Sequence, residues 1–240
     1  MGNPGMGPTG PDPQRPPNDP DRQSPAEQWN ALKNHERVQQ ARQAGKQYSG
    51  YFMGALLKPY RTMRNVDGRQ MNNAAITMGI VAVLSALYYL VLFSKWEVNS
   101  VFGPGFVTPL LLTALGLVVA FGAVYLLLRM ERISAAPRML LAQFGTLLVP
   151  AAALLVLSIL FLAINLYSLS LTLLLLGYLF VFVAMNTLLY HYPLGKNPGA
   201  LDTVFAVFLA NAVTGYLFYR LIVSAVAGAA MGMFSSFSPF

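Results

Sequence analysis

From Asn73 onward the chain reads as five long apolar runs separated by short connectors, whereas the residues before it show only thin apolar stripes. The runs are Ala74–Phe93, Val107–Leu128, Leu140–Ile164, Leu169–Tyr190 and Thr203–Val223. At 1.5 Å rise per residue, each is long enough as a helix to cross a hydrocarbon layer of about 30 Å. The third and fourth are joined only by residues 165–168 and must form an antiparallel hairpin. Pro150 should kink the third run, since proline removes one rung of the helical ladder. The pattern predicts an all-α membrane protein with five transmembrane helices, preceded by an interfacial amphipathic segment and a disordered Pro-rich arm.

The polar part divides further. Residues 1–23 are rich in Pro, Gly, Asn and Asp, with too little apolar surface to offset the entropy of ordering, and are expected to be disordered. Within residues 24–47, Ser24, Pro25 and Glu27 carry capping-box chemistry for a basic helix running to about Gly45. In residues 48–72, Phe52, Leu56, Tyr60 and Met63 recur at helical spacing beside Lys58, Arg61 and Arg64, with Pro59 interrupting. Such a segment is expected to lie in the membrane interface, aromatic side toward lipid and basic side toward phosphate. Residues 73–230 form the membrane domain and residues 231–240 a short external tail.

Charge orients the picture. Ten of the sixteen Lys and Arg residues precede Asn73; the connectors then alternate between Lys95 alone and the sets Arg129, Arg132, Arg138 and Lys196. Basic connectors face the cytoplasm, which puts the N-terminus inside and, after five spans, the C-terminus outside. No cleaved signal segment is read, because the first apolar run is too long and too far into the chain. With 55% hydrophobic and 10% charged residues and a mean hydropathy of +0.52, a soluble nucleic-acid-binding fold does not explain the net charge of +7; anionic lipid does.

Reactive signatures are sparse. His35 and His191 have no acidic neighbour at metal spacing, cysteine is absent, and no Walker loop or nucleophile elbow occurs. No carboxylate lies inside a run, so neither enzyme activity nor carboxylate-coupled transport is expected, and no metal or cofactor is implied. Arg220 is the one charge within a run. It either snorkels to the headgroups or, if the last span is shifted toward Met231, marks a polar intramembrane site with Asn165, Asn186 and Asn211. Those amides equally suit interhelical hydrogen bonding, as does Gln143. Ser224, Gly228 and Gly232 have the four-residue spacing that lets helices approach, within one chain or between copies in a homo-oligomer.

The stretch Tyr51-Phe-Met-Gly-Ala-Leu-Leu-Lys-Pro59, placed just before the first of five spans, resembles the Yip-domain family of small integral membrane proteins over about residues 48–230. The resemblance implies a non-catalytic membrane protein. Eukaryotic members bind small GTPases and trafficking factors, and some bacterial members carry a zinc ribbon that this cysteine-free chain lacks. The expectation is an adaptor or organiser in a bacterial cell membrane, contacting anionic lipid and an unknown membrane or cytoplasmic protein. The alternative is a transporter or channel subunit with a polar path near Arg220.

Overall fold

The computed structural model describes residues 36–96, 102–192 and 202–236. The expected disordered arm, the start of the basic helix and Lys196 lie outside them. Contacts divide the chain into two units, Met1–Gln47 and Tyr48–Phe240. Of the first, only part of α1 (Glu36–Leu57) is described.

Helix α1 does not stop near Gly45. A glycine inside a helix costs about 1 kcal/mol, and the next turns supply compensation through Tyr48 and Tyr51, which are anchored to other helices. The ladder breaks instead at Lys58, where φ −140° and ψ 65° reflect the steric demand of Pro59 on its predecessor. Helix α2 (Pro59–Asn65) follows, with proline at its first position. Thr62 Oγ1 donates to Gly54 O at 2.9 Å and ties α2 back across the break.

A short 3-10 turn, Gly68–Gln70, leads into α3 (Met71–Lys95). The remaining helices are α4 (Thr108–Met130), α5 (Pro137–Leu147), α6 (Val149–Ala163), α7 (Tyr167–His191) and α8 (Thr203–Ser236). Among the described residues, five stretches are long and apolar enough to span: Gly68–Lys95, Gly105–Met130, Pro137–Ala163, Tyr167–His191 and Thr203–Ser224. The fold is thus an all-α membrane protein with five candidate spans, the third made of α5 and α6 together.

Pro150 acts as expected, but the break falls two residues earlier, at Leu148, where α5 hands over to α6. The segment Phe102–Pro109, despite its glycines and prolines, is helical: a π turn, Gly103–Val107, runs directly into α4. Pro104 occupies a first-turn position, where the missing N–H has no intrahelical partner to lose, and Pro109 falls at the junction of the π turn with α4. Helix α8 continues beyond the expected span and through the first residues of the expected tail, to Ser236.

Helix α3 packs against α4 and against α5 and α6; α6 pairs with α7, and α8 lies chiefly along α4. The core is one cluster drawn from these helices, with Tyr88, Phe93, Phe144 and Met185 among its fully buried side chains.

Two helices end on a residue with positive φ. After α4, Arg132 has φ 56°, with Ile133 N–H donating to Leu128 O at 2.9 Å; after α6, Asn165 has φ 65°, with Leu166 N–H donating to Phe161 O at 2.9 Å. Both closures are Schellman motifs, whose left-handed position favours glycine. Asparagine tolerates it, whereas arginine does so poorly. Arg132→Gly is expected to stabilise the chain by about 0.5–1 kcal/mol, readable as a small rise in melting temperature in detergent.

Candidate functional site at the basic end

Because spans alternate in direction, one end of the bundle gathers α2, the α4–α5 connector and the end of α7. Its described cations are Lys58, Arg61, Arg64, Arg69, Arg129, Arg132 and Arg138; at the far end the connectors offer Lys95. Gly68 packs beside Arg138 Cβ at 3.6 Å from where its own Cβ would sit, which fixes the first connector against α5.

The helical residues from Tyr48 onward dock on this end through two half-buried tyrosine hydroxyls. Tyr48 Oη is 3.1 Å from Thr77 Oγ1 of α3, and Tyr51 Oη is 2.9 Å from Thr146 Oγ1 of α5. Thr77 already donates its proton to Asn73 O (2.9 Å), and Thr146 donates its own to Ala142 O (2.7 Å). Each threonine must therefore accept, and each tyrosine must donate. Burial raises both phenol pKa values above 10, with the threonine bonds partly opposing it.

The linkage sign follows from the raised values. The stabilisation is complete below the unfolded phenol pKa of about 10 and is lost as pH rises through the folded value. Spin labels on Arg64→Cys and Arg138→Cys are expected to keep one distance from about pH 6 to 9 and to separate above about pH 10. In a Tyr48→Phe/Tyr51→Phe background the distance should be independent of pH over that range.

This docking revises the expected lipid-facing stripe. Met63 and Ala55 are fully buried in protein, Phe52 and Leu56 are half-buried, and of the predicted set Tyr60 alone is exposed. Phe52 packs against the core and lies 6.1 Å, ring to ring, from Tyr48. The stripe follows Tyr48, Tyr51 and Ala55, a spacing of three and then four that was present in the sequence but outweighed by the louder aromatic set. Lys58, Arg61 and Arg64 are all exposed, and Pro59 is half-buried.

The end of α7 closes the other side. Tyr60 meets His191 edge-on with centroids 6.2 Å apart, and His191 meets Tyr192 at 5.3 Å. Tyr192 Oη donates to Gln143 Oε1 at 2.8 Å, and burial raises the Tyr192 phenol pKa, the glutamine bond partly opposing it. Gln143 itself is buried, and its Nε2 has no hydrogen-bond partner.

The four residues considered for an intramembrane polar site do not meet. Asn186 and Asn211 form a reciprocal amide pair between α7 and α8 (3.1 and 2.9 Å), and Asn211 also donates to Val207 O at 2.8 Å. Asn165 sits at the far end, where Lys95 Nζ donates to its Oδ1 (2.5 Å) and to Ala163 O (3.1 Å). That cation also complements the carboxyl end of the α6 dipole. Arg220 is exposed on α8.

Its depth can be read from Phe218, whose ring comes within 3.4 Å of where a Cβ on Gly116 would sit and whose centroid is 5.1 Å from that of Tyr178. Counting rises from the far ends of α4 and α7 puts Phe218 about 12–16 Å deep, and Arg220 about 3 Å nearer that end. An arginine side chain spans most of what remains, so Arg220 can snorkel. Ser224 and Gly228 are half-exposed on α8; the surroundings of Gly232 fall outside the described residues. No group of three or more His, Cys, Asp or Glu side chains gathers among the described residues.

With the geometry in hand, the class is an all-α membrane protein with five candidate spans and one basic end. No family model matches the chain, and no solved structure matches it. Among curated proteins it is similar to the uncharacterized protein YvbI of Bacillus subtilis (strain 168), 27% identical over 121 residues. The aligned part is 50% of this chain and 52% of that protein, so the chain spans about half the length of the curated relative it matches.

Proposed function

We propose that this chain is a non-catalytic membrane organiser whose basic end faces the cytoplasm of a bacterial cell and holds anionic lipid for a protein partner. One observation carries the reading: residues 48–65 are folded onto the bundle by Tyr48 and Tyr51, leaving Lys58, Arg61 and Arg64 exposed on a held surface. A flexible basic linker attracts anionic headgroups only through mean charge. A docked one presents its cations at a set depth, each contributing about 1 kcal/mol near an anionic surface. Exposed Met53, Leu57 and Tyr60 beside them suit the interface.

The orientation follows the excess of Lys and Arg at this end. Membership of the Yip-domain family is part of the same proposal and rests on Tyr51–Pro59 and the five spans. The transport alternative needs a continuous polar path; the described geometry gives it the Asn186–Asn211 pair, with Asn165 at the opposite end and Arg220 on the exposed face.

The test is the lipid carried out of a bacterial membrane by the full chain in polymer-bounded nanodiscs. Phosphatidylglycerol should be enriched about two- to fivefold over the bulk membrane, consistent with a net preference of about 0.5–1 kcal/mol. Lys58→Gln/Arg61→Gln/Arg64→Gln should return the ratio to the bulk value. An unchanged ratio in that triple variant rules the reading out.

A further inference from the structure

A groove of about 520 Å³ runs along the exposed face of α7 at the basic end. Its deep wall is Leu179, Phe182 and Val183; its middle is Asn186 and Thr187; its mouth is Tyr190, His191 and, from α2, Tyr60. Apolar, then amide and hydroxyl, then aromatic with imidazole is the polarity order of a phospholipid read from chain to ester to headgroup. From Leu179 to His191 the wall extends about 18 Å, close to one leaflet of a hydrocarbon core about 30 Å thick.

The geometry points to a seat for one anionic phospholipid, an acyl chain against Leu179, Phe182 and Val183 and the phosphate at the mouth beside Tyr60 and His191. The inference rests on the basic-end reading and makes it specific: a single lipid in a built groove, rather than a charged surface sampling many. Charge complementarity selects the occupant. Arg61 follows Tyr60 directly, Lys58 precedes it by two residues, and Arg64 lies four residues on, along the same face of α2; all three are exposed.

The middle of the groove fits the ester region. Asn186 Nδ2 uses one of its two protons on Asn211 Oδ1, which leaves a donor over, and Thr187 adds a hydroxyl. The mouth exists because α2 is held in place. Tyr60 reaches His191 only while α2 follows the docked end of α1, so the tyrosine–threonine bonds at Tyr48 and Tyr51 also shape the seat. A second groove, about 470 Å³ between α4 and α8, is lined by residues such as Val118, Leu126 and Val213, with no donor for a headgroup. It serves as the internal control.

The experiment is native mass spectrometry of the full chain in detergent, titrated with phosphatidylglycerol and with phosphatidylcholine of the same acyl chains. The wild type should retain one phosphatidylglycerol per chain and take up phosphatidylcholine about tenfold more weakly. Val183→Trp and Leu179→Trp fill the groove from positions 45% and 55% exposed, so the bundle tolerates them; each should weaken the single adduct about tenfold. Leu126→Trp in the control groove should leave it unchanged.

Undiminished uptake in both groove variants, with loss in the Lys58/Arg61/Arg64 triple, overturns the seat and leaves the basic-end reading standing. Equal uptake of the two lipids by the wild type overturns both. Uptake by a chain lacking residues 1–23 but not by the whole chain assigns the groove to the arm and overturns the seat. A dimer that excludes lipid assigns it to a second copy with the same consequence.

Discussion

Gly145→Ala is expected to destabilise the folded bundle by about 3 kcal/mol or more, the upper end of the range for adding a methyl group to a packed core. A Cβ at Gly145 would overlap the Cα and Cβ of Ala74 and come within 2.9 Å of Ala74 O. The obstruction is backbone, so no rotamer change relieves it. Helices α3 and α5 would have to part at their tightest crossing, and that crossing also holds Thr146 and Thr77, the acceptors for Tyr51 and Tyr48. Separation should therefore loosen the docked segment as well as lower the melting temperature.

Two controls make the result specific. Gly79 and Gly122 also lie inside helices, but a Cβ at either meets nothing within 4 Å. Alanine there should be neutral or stabilise by up to about 1 kcal/mol through helix propensity. Ala74→Gly in the Gly145→Ala background removes one of the two overlapping carbons and should restore part of the loss. A melting temperature for Gly145→Ala equal to that of Gly79→Ala would show that the helices do not approach in this way.

The Gly145 crossing marks the boundary of what was legible beforehand. Span number, the third–fourth hairpin and the proline-induced break come from length and composition, which report how each helix meets lipid. Which helix faces meet one another is a different question. In a span nearly every residue is apolar, so the contrast that reveals a buried face in water is missing. Gly145 and Ala74 carry no sequence mark that sets them apart from Gly79 or Gly122.

The site divides along the same line. The exposed cations Lys58, Arg61 and Arg64 stand out in any reading, because charge near a span is conspicuous. The anchoring of their segment depends on two hydroxyl pairs, Tyr48–Thr77 and Tyr51–Thr146, separated by 29 and 95 residues. A tyrosine near a membrane boundary reads by default as a lipid-facing belt residue, and only its threonine partner reveals otherwise. The asparagines show the same gap: four polar residues fit either one constellation or separate amide bonds beside a snorkelling arginine, and topology sends Asn165 to the far end, joins Asn186 to Asn211 and leaves Arg220 exposed.

Ser85→Ala is expected to destabilise the bundle by about 2 kcal/mol, the largest effect of removing one hydroxyl from the core. Ser85 is fully buried and joins three spans: its Oγ lies 2.9 Å from Thr113 Oγ1 of α4 and 2.5 Å from Tyr178 Oη of α7. Alanine removes the hydroxyl shared by both partners and leaves Thr113, Tyr178 and Tyr89 under-satisfied among themselves in a dry interior. A buried hydroxyl deprived of its partner costs about 1–3 kcal/mol, whereas interhelical bonds in membranes average about 0.6 kcal/mol with a maximum near 1.7. Two bonds lost at one hub in a fully buried position put the sum at about 2 kcal/mol, above a single membrane bond and near the middle of the first range.

The sign of the next step separates hydrogen bonding from packing. If the loss comes from unpaired hydroxyls, removing them too should recover stability. Ser85→Ala combined with Thr113→Val, Tyr178→Phe and Tyr89→Phe, whose hydroxyl adjoins that of Tyr178, should melt above Ser85→Ala alone. Replacing every member of a polar network by apolar groups of similar shape is close to neutral. If the loss instead comes from the small void left by the serine oxygen, the four changes should add, and the combined variant should melt lowest. A hub whose removal is worse than the removal of the whole network is there to fix which faces of α3, α4 and α7 meet. Where all surfaces are apolar, that selection is what these hydroxyls contribute.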